Sequence, residues 1–290
     1  MDSSVSQIPV KNSTSNSLRA IIVGAWIVGL VWFENRRVLR PVHRNKLRRD
    51  VRNLVIAVPA GAAMQMLEMP VAVKLSKITQ HRRWGLLPRL YLPPRVAMLS
   101  GILLLDYTLY WWHYLTHRVP ALWRFHQVHH VDQEMDATTA LRFHFGEIAI
   151  SVAFRAAQIA VIGVSPMTLA VWQVFLFLCI LFHHSNVCLP LACERILARF
   201  VVTPRLHGIH HSIAPKEVNS NWSSGLTIWD WLHSTLRTEV PQAALTLGVP
   251  GFLGASEITA VEALALPFHV AGGPPAYDGA PVRQSLHEVS

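Results

Sequence analysis

The histidines of this sequence are the residues whose spacing most clearly points to chemistry. The chain of 290 residues contains 16 of them, and ten fall into short repeated patterns. These patterns are His113-x3-His117, His126-x2-His129-His130, His207-x2-His210-His211 and the pair His183-His184, with His144 lying between them. Because residues three and four apart share one face of a helix, each pattern should direct two or three imidazoles into a single volume.

Metal binding is the chemistry that such an arrangement favours. Imidazole is the commonest metal ligand among protein side chains, and it suits iron, zinc, copper and nickel. A lone histidine at an apolar helix end is usually a hydrogen-bonded core residue, but eight to ten clustered histidines exceed what one ion can coordinate, so the sequence predicts two metals. Structural zinc prefers thiolates, and the HExxH pattern is absent. Iron that activates dioxygen is compatible with this ligand set, while copper and zinc stay open.

The composition indicates that a membrane positions these histidines. Hydrophobic residues make up 51% of the chain and charged residues 15%, whereas a soluble domain normally carries about a quarter charged residues. This average excludes intrinsic disorder, and the lack of Gly-X-Y repeats excludes collagen. The formal net charge is +9. The three cysteines lack CxxC spacing, so neither a disulfide framework nor a thiolate metal site is expected.

Five apolar segments predict an all-α integral membrane protein with four to five membrane-inserted helices. They are residues 20–33, 54–73, 96–112, 148–164 and 167–182. The first is expected to be a retained anchor, because its basic residues follow the apolar run, whereas a secretory signal carries them before it. Ser165-Pro166 separates the last two segments, which therefore predict a helical hairpin, since proline cannot continue a helix.

Three ionisable residues interrupt these apolar segments. An intramembrane carboxylate is costly and usually functional, so Asp106 is expected to support the histidines. For Glu68, an ordinary paired position is as plausible as a functional role. Arg155 is expected to pair with such a carboxylate or to extend to the membrane interface.

The basic residues predict the orientation of the helices. Residues 36–52 hold eight Lys and Arg, which places that loop in the cytoplasm and the N-terminus outside. Alternation of the following segments brings His113 and all later histidines to the cytoplasmic side. The 74–95 segment would then lie outside although it carries six Lys and Arg. It is therefore expected to be an interfacial amphipathic segment.

The motifs around the histidines give a more specific indication. They are Asp106 to Arg118, Leu122-Trp-Arg-Phe-His126-Gln-Val-His129-His130, Arg142-Phe-His144-x2-Glu147, His184-Ser-Asn186, Thr203-Pro-Arg-Leu-His207-x2-His210-His211, Asn219-x-Asn221 and Trp229-Asp230. In order and spacing, over about residues 96–240, they resemble the fatty acid hydroxylase / sterol desaturase superfamily. The resemblance implies an integral membrane, non-haem di-iron oxygenase with a cytosolic histidine-rich helical cap that holds two metals. Its substrates would be fatty acyl chains, sterols, sphingoid bases, ether lipids or carotenoids.

Carried over position by position, the resemblance implies a set of iron ligands. These are His113, His117, His126, His129, His130, His207, His210 and His211, with His184 as a further ligand and His183 and His144 completing the candidate set. Ligating imidazoles normally donate their other N–H to an oxygen. The candidate acceptors and supports are Asp106, Glu147, Asn186, Asn219, Asn221 and Asp230. Phe145 stands where many relatives have proline, and His233-Ser234 replaces the usual Phe-Gly, departures that bear on the substrate and not on the metals.

The implied reaction is O2-dependent hydroxylation or desaturation at an unactivated C–H bond of a lipid. It needs a separate electron donor, such as a ferredoxin, a cytochrome or a flavoprotein reductase, because no haem or flavin domain is fused. No nucleic-acid partner is expected. A histidine-rich metal transporter and a non-catalytic metal-binding membrane protein are the alternatives. A transporter would place its ligands at the bilayer midplane on broken helices, whereas these histidines lie at helix ends and beyond.

Four regions are expected along the chain. Residues 1–17 form a polar N-terminal tail, and residues 18–95 form N-terminal membrane helices and basic loops. Residues 96–240 form the catalytic domain, and residues 241–290 a C-terminal extension that is disordered from about residue 272.

Overall fold

The structure is a computed structural model that describes residues 13–254 and 258–269. Within those ranges the chain is helical and forms no strand, apart from three isolated backbone bridges. This confirms the predicted all-α class. The expected N-terminal tail lies mainly outside the described residues, and the expected disorder from residue 272 lies wholly outside them.

Twelve α-helices are present in the described part of the chain. They are α1 Ser13–Arg36, α2 Lys46–Ala63, α3 Met69–Arg82, α4 Pro94–Arg118, α5 Pro120–His130, α6 Phe145–Ile162, α7 Pro166–His184, α8 Leu191–Leu197, α9 Pro204–His210, α10 Pro215–Val218, α11 Ile228–Leu232 and α12 Ala260–His269. A π-helical turn, Met64–Glu68, joins α2 to α3 without a break.

Four of the described stretches are long and apolar enough to span a membrane. They are Ser17–Arg36, Lys46–Arg89, Phe145–Ile162 and Pro166–His184. The apolar segment 96–112 lies in α4 and is not among the four, since Asp106 and several aromatic residues interrupt it. The protein is therefore an integral membrane protein with four candidate spanning segments.

The long helices α3, α4, α6 and α7 pack side by side as one helical layer. Helix α4 runs the full distance between the two ends of this layer. Its first turns lie beside the α6–α7 turn, where a side chain at position 101 would collide with Thr168 and crowd Val164. Its last turn carries His113 and His117 to the opposite end. At 1.5 Å per residue, its 25 residues cover about 37 Å, more than the hydrocarbon core of a bilayer.

The 74–95 segment differs from its predicted form. Helix α3 continues the long helix that begins at Lys46, because no residue between 73 and 82 breaks it. The helix ends where Arg83 adopts a left-handed conformation with φ 53°. Residues 74–82 are thus the far end of one long helix and not a separate interfacial segment.

The predicted hairpin of residues 148–182 is present as α6 and α7. Helix α6 ends at Gly163, which has φ 75°, and Ser165 then caps α7 by accepting the Thr168 N–H at 3.1 Å. A side chain at position 163 would collide with the carbonyl oxygen of Trp84. Glycine is therefore required at this turn by both conformation and space.

The apolar core lies between the long helices. Leu105 of α4, Ile159 of α6 and Trp172 of α7 are fully buried together in one cluster. This packing holds α4, α6 and α7 side by side and fixes the end of the layer at which their histidines and Glu147 emerge.

Buried ion pairs hold the first turns of α2 against the loop that follows α5. Arg49 pairs with Asp136, and Arg52 Nη2 lies 3.1 Å from Asp132 Oδ1. Asn53 donates to Asp132 and accepts from Arg142 Nη1 at 2.8 Å. Several basic residues of the 36–52 loop thus form ion pairs within the protein, at the end of the layer where the histidines lie.

Candidate metal centre

Nine histidines converge in two buried groups. The first group consists of His113, His117, His126, His130 and His210. The second group consists of His129, His184, His207 and His211. Within each group, one ring nitrogen from every histidine lies within 4.8 Å of the others. The two-metal arrangement expected from the spacing is therefore geometrically available.

Each His-x2-His-His motif contributes to both groups. In α5, His126 and His130 are four residues apart and share a face, so they join the first group, while His129 points to the second. The motif around α9 has the reverse distribution. His207 and His211 join the second group there, and His210 joins the first.

The helix ends bring these motifs together. Helix α4 ends at Arg118, and α5 starts at once at Pro120, because the residue before a proline is forced out of the helical conformation. The motif histidines of α5 and α9 lie at or beside the last turns of those helices. The sharp α4–α5 turn is what places His117 against His130, with ring centroids 4.6 Å apart.

The nitrogens of the second group face one another closely. His184 Nε2 lies 2.9 Å from His129 Nε2 and 3.0 Å from His207 Nε2. His211 Nε2 lies 3.2 Å from His207 Nε2. Four converging ring nitrogens at such distances suit a shared cation better than a set of hydrogen bonds, since each neutral imidazole has only one N–H to donate.

Several ring nitrogens of the first group have no hydrogen-bond partner among the described residues. They are His117 Nδ1 and Nε2, His126 Nε2, His130 Nδ1 and Nε2 and His210 Nε2. A buried polar atom without a partner costs about 1–3 kcal/mol. Because one nitrogen of each ring converges on a single volume, the residues present fit a metal ion held by imidazoles.

Hydrogen bonds to the opposite ring nitrogen orient four of the nine imidazoles. His126 Nδ1 bonds Glu147 Oε1 at 2.9 Å. Backbone carbonyls serve the others: Trp222 for His113 at 2.7 Å, Ile180 for His184 at 2.8 Å and Ser220 for His210 at 2.8 Å. A donated Nδ1–H leaves Nε2 with its lone pair free, which is the form that binds a metal.

The electrostatics also keep these imidazoles neutral. Burial, aided by the neighbouring histidines, lowers the pKa of His129, His130, His207 and His211 well below its usual range. Burial lowers the pKa of His210 to about 3. Neutral imidazole is the form that coordinates metals, so the site is ready for binding at neutral pH.

The predicted supporting residues act in different ways. Glu147 contacts His126 directly. Asp230 accepts the N–H groups of Trp222 and Ser223 at 2.7 and 3.0 Å and so holds the carbonyl that meets His113.

The remaining predicted supports hold loops and helix ends near the groups. Asp106 accepts the Leu226 N–H at 2.9 Å and the Trp229 indole N–H at 2.7 Å. The Asn186 side chain pairs with the backbone of Arg40, beside His184. Asn219 donates to the Pro215 carbonyl at 2.8 Å, and Asn221 donates to the Leu206 carbonyl at 2.8 Å.

His144 and His183 lie outside the two groups. His144 caps the start of α6 by accepting the Gly146 N–H at 2.9 Å, and its Nε2 lies 3.0 Å from the Leu264 carbonyl. The His183 ring lies 4.0 Å from that of His207. The structure thus gives His144 a capping role and places His183 beside the second group.

Sequence reasoning did not identify the residues that enclose the site. The rings of Trp123 and Trp222 pack on His117 at 4.9 and 4.7 Å. The carbonyl acceptors at Ile180, Ser220 and Trp222 were also missed, because every residue has a carbonyl and none carries a sequence signal. The signal that the sequence did offer is Trp222, a large apolar residue between the polar residues Asn221 and Ser223.

A cavity of about 170 Å³ borders both groups. It meets His113 and His126 of the first group and His129, His184 and His207 of the second. Its other walls are mainly apolar and include Leu109, Trp112, Phe143, Ile148, Leu176 and Ile180. A hydrocarbon chain could therefore lie between the long helices with one carbon next to the histidines.

The fold and the site define a class of protein: a helical membrane protein with two buried histidine groups at one end of its helical layer. Comparison with known proteins agrees. Residues 98–235 match the family described as fatty acid hydroxylase, a similarity that the motifs predicted.

Individual relatives are similar over about half of the chain. The ornithine lipid hydroxylase OlsE of Rhizobium tropici is 29% identical over 55% of this chain and 47% of its own length. The cholesterol 25-hydroxylase of Mus musculus is 29% identical over 54% and 53%. The alkylglycerol monooxygenase of Danio rerio is 29% identical over 56% and 35%. The chain thus spans about half or less of these relatives, and no solved structure gave a significant match.

Proposed function

We propose that this protein is a membrane-bound, O2-dependent lipid hydroxylase or desaturase with two iron ions, one in each histidine group. The observation that carries the proposal is the apolar cavity that borders both groups. The relatives named above are a lipid hydroxylase, a sterol hydroxylase and a lipid monooxygenase, which supports hydroxylation of a lipid.

Three groups of residues would bind the metals, hold the lipid and orient a ligand. His113, His117, His126, His130 and His210 would hold one ion, and His129, His184, His207 and His211 the other. When bound, iron supplies the activation of dioxygen and the attack on an unactivated C–H bond. Leu109, Ile148 and Leu176 would hold the lipid chain and exclude water from it. Glu147 would keep His126 oriented by accepting its Nδ1–H.

The overall reaction also requires reducing equivalents. In hydroxylation, one oxygen atom enters the C–H bond of the lipid and the other leaves as water, with two electrons and two protons from a donor. A ferredoxin, a cytochrome or a flavoprotein reductase would supply the electrons. The histidine end of the molecule is proposed to face the cytoplasm, since the basic loop of residues 36–52 lies at that end.

Metal analysis of variants tests the assignment. We expect about two iron atoms in each detergent-purified chain, since each group offers enough ligands for one ion. His129→Ala should reduce loading of the second group, and His210→Ala that of the first. His81→Ala is the matched control, because His81 is exposed on α3 and lies outside both groups.

Incubation with a lipid extract tests the activity. O2-dependent hydroxylated or desaturated products should form with wild type and with His81→Ala, and should be lost in both other variants. Unchanged metal content in His129→Ala and His210→Ala would contradict the ligand assignment. Full loading without any oxidised product under varied donors would favour the transporter or the non-catalytic alternative.

A further inference from the structure

The cavity beside the histidines carries an ion pair on its wall. Arg155 Nε lies 3.4 Å from Glu68 Oε1, and the two side chains are 11% and 8% exposed. Ser151 Oγ donates to Glu68 Oε2 at 3.0 Å. All three residues line the cavity. Ionisable side chains inside membrane-spanning segments are costly, and by default they mark a functional site.

The backbone directs Glu68 into the cavity. Glu68 is the last residue of the π-helical turn, and both Met64 and Glu68 line the cavity. A π turn inserts an extra residue into an α-helix, and such turns are frequent at functional sites. The carboxylate is therefore placed by an irregularity of the helix at this position.

One face of α6 connects the ion pair to the histidines. Glu147, Ser151 and Arg155 follow one another at intervals of four residues, and all three line the cavity. Glu147 bonds His126 of the first group. With a rise of 1.5 Å per residue, Arg155 lies about 12 Å along the helix from Glu147. A ligand held at the ion pair could thus extend to the histidines.

The chemistry of the pair selects the kind of group that it would bind. Arg155 is already neutralised by Glu68, and its guanidinium lies 4.8 Å from the Trp172 ring centre. A phosphate or carboxylate at this place would meet the negative charge of Glu68. A hydroxyl both donates and accepts, so it can donate to the carboxylate and accept from the guanidinium at once.

We propose that the Glu68–Arg155 pair binds the hydroxyl of a lipid alcohol whose hydrocarbon chain lies along α6 and ends at the two histidine groups. The inference rests on the proposed function, because the chain is placed there for oxidation. The pair then determines specificity, since it fixes which carbon of the chain lies next to the histidines.

The alternative explanation is that the Glu68–Arg155 pair only holds the π turn against α6 and binds no ligand. The double variant Glu68→Met/Arg155→Met separates the two. Replacement of a buried ion pair by apolar residues of similar volume is often neutral or stabilising, so the double variant should fold and retain its metals. It removes the groups that would recognise a hydroxyl. It also removes the donor of Arg155 to Gln158 Oε1, but the Gln158 side chain stays anchored to the Leu105 carbonyl.

Binding of two matched probes provides the test. Displacement of tritiated 1-decanol, whose chain matches the distance along α6 from Arg155 to Glu147, is measured from the purified full chain in detergent micelles with unlabelled 1-decanol and with decyl methyl ether, which lacks the donor. We expect wild type to prefer the alcohol by about tenfold or more, as for one hydrogen bond to a charged group. The preference should fall to about one in the double variant.

Gln173→Leu is the matched control. Gln173 donates to Met69 Sδ at 3.3 Å, between α3 and α7, and it does not line the cavity. Its removal also deletes a polar contact of the long helices, but the preference for the alcohol should persist. Should the double variant fail to fold, Glu68→Gln and Arg155→Gln are measured in the same way, and each should reduce the preference.

Three results would overturn the proposal: a folded double variant with the wild-type preference, a wild type that binds both probes equally, or decanoate bound as tightly as the alcohol. Binding needs no turnover, so it is independent of the metal and product measurements. An alcohol preference without oxidised products would contradict the oxygenase alone, and oxidised products without the preference would contradict the hydroxyl site alone.

Discussion

At the scale of single residues, the site depends on which ring nitrogen each histidine leaves free. His113, His126, His184 and His210 have Nδ1 bonded to an oxygen, and their Nε2 atoms face the groups. Only one of these four oxygens belongs to a carboxylate, that of Glu147. Substitution of Glu147 should therefore change the metal affinity of the first group.

Glu147→Gln should weaken metal binding at the first group by about 10–100-fold, because loss of a carboxylate partner makes a ligating imidazole less basic and less well oriented. The second group should lose less affinity than the first, because Glu147 bonds only His126 of the first group. Metal titration of the stripped, full-length protein measures both. Glu262→Gln, an exposed position on α12, is the matched control and should leave both affinities unchanged. Equal weakening of both groups would contradict the assignment of Glu147 to one of them.

The stability of the metal-free protein should fall as the pH drops below about 6.5, the usual pKa of histidine. The pKa of His129, His207, His210 and His211 is lowered by burial, so the unfolded chain binds more protons than the folded chain in this range. The stability contributed by the neutral imidazoles is fully present above pH 6.5. It declines as the pH falls from 6.5 toward the lowered pKa of these histidines in the folded protein. Melting curves of the metal-free protein between pH 7.5 and 5 measure this decline. A melting temperature independent of pH over that range would contradict it.

The sequence indicated the grouped histidines more clearly than the residues that orient them. Eight of the nine stand in motifs whose spacing follows the helix repeat, and the resemblance added His184. His144 shares the same residue type, but its place at the start of α6 makes it a cap, and its position relative to the groups depends on a turn that spacing does not describe. The carbonyls of Ile180, Ser220 and Trp222 carry no signal at all.

At the scale of elements, the contacts between α2 and the loop after α5 decide how firmly the first His-x2-His-His motif is held. Asp132 and Asp136 follow His130 closely and are buried against Arg49, Arg52 and Asn53. The sequence suggested only that the basic residues orient the protein in the membrane. Their partners lie some 80 residues away in the chain, and no local pattern links them.

Two substitutions that each remove a partner of Asp136 should lower the free energy of unfolding by very different amounts. Arg49→Met removes a fully buried partner of Asp136 and should lower the free energy of unfolding by about 3–5 kcal/mol. Lys46→Met removes a partner whose side chain is 35% exposed and should lower it by less than about 1 kcal/mol. Melting temperatures of the metal-loaded proteins give the comparison. Similar losses from both substitutions would show that burial of Arg49 does not matter.

At the scale of the whole molecule, the helices place every histidine group, the basic loop and the α8 helix at one end of the layer. Arg40 of the basic loop meets Asn186, and Glu194 of α8 lies 2.6 Å from Arg205 of α9. The sequence predicted this common end from the alternation of its apolar segments. It also predicted that α4 passes between the two ends, although this helix is not among the four candidate spans.

Labelling of a natural cysteine tests which way that end faces. Cys193 is exposed on α8 and Cys179 is buried in α7, while Cys188 is half-buried and is replaced by serine in the protein used for the test. If the histidine end faces the cytoplasm, a membrane-impermeant maleimide should label Cys193 in inside-out vesicles and not in right-side-out vesicles. Cys193→Ser is the control and should abolish the signal. Labelling confined to right-side-out vesicles would reverse the proposed orientation.

The sharing of each His-x2-His-His motif between both groups also bears on how the metals enter. Helix α9 has only seven residues, and together with the histidine that follows it supplies histidines to both groups. The first ion to arrive would fix α5 and α9 in place, so the second would meet ligands that are already ordered. Loading should then be positively cooperative, and chains that carry a single ion should be scarce at every stage of filling.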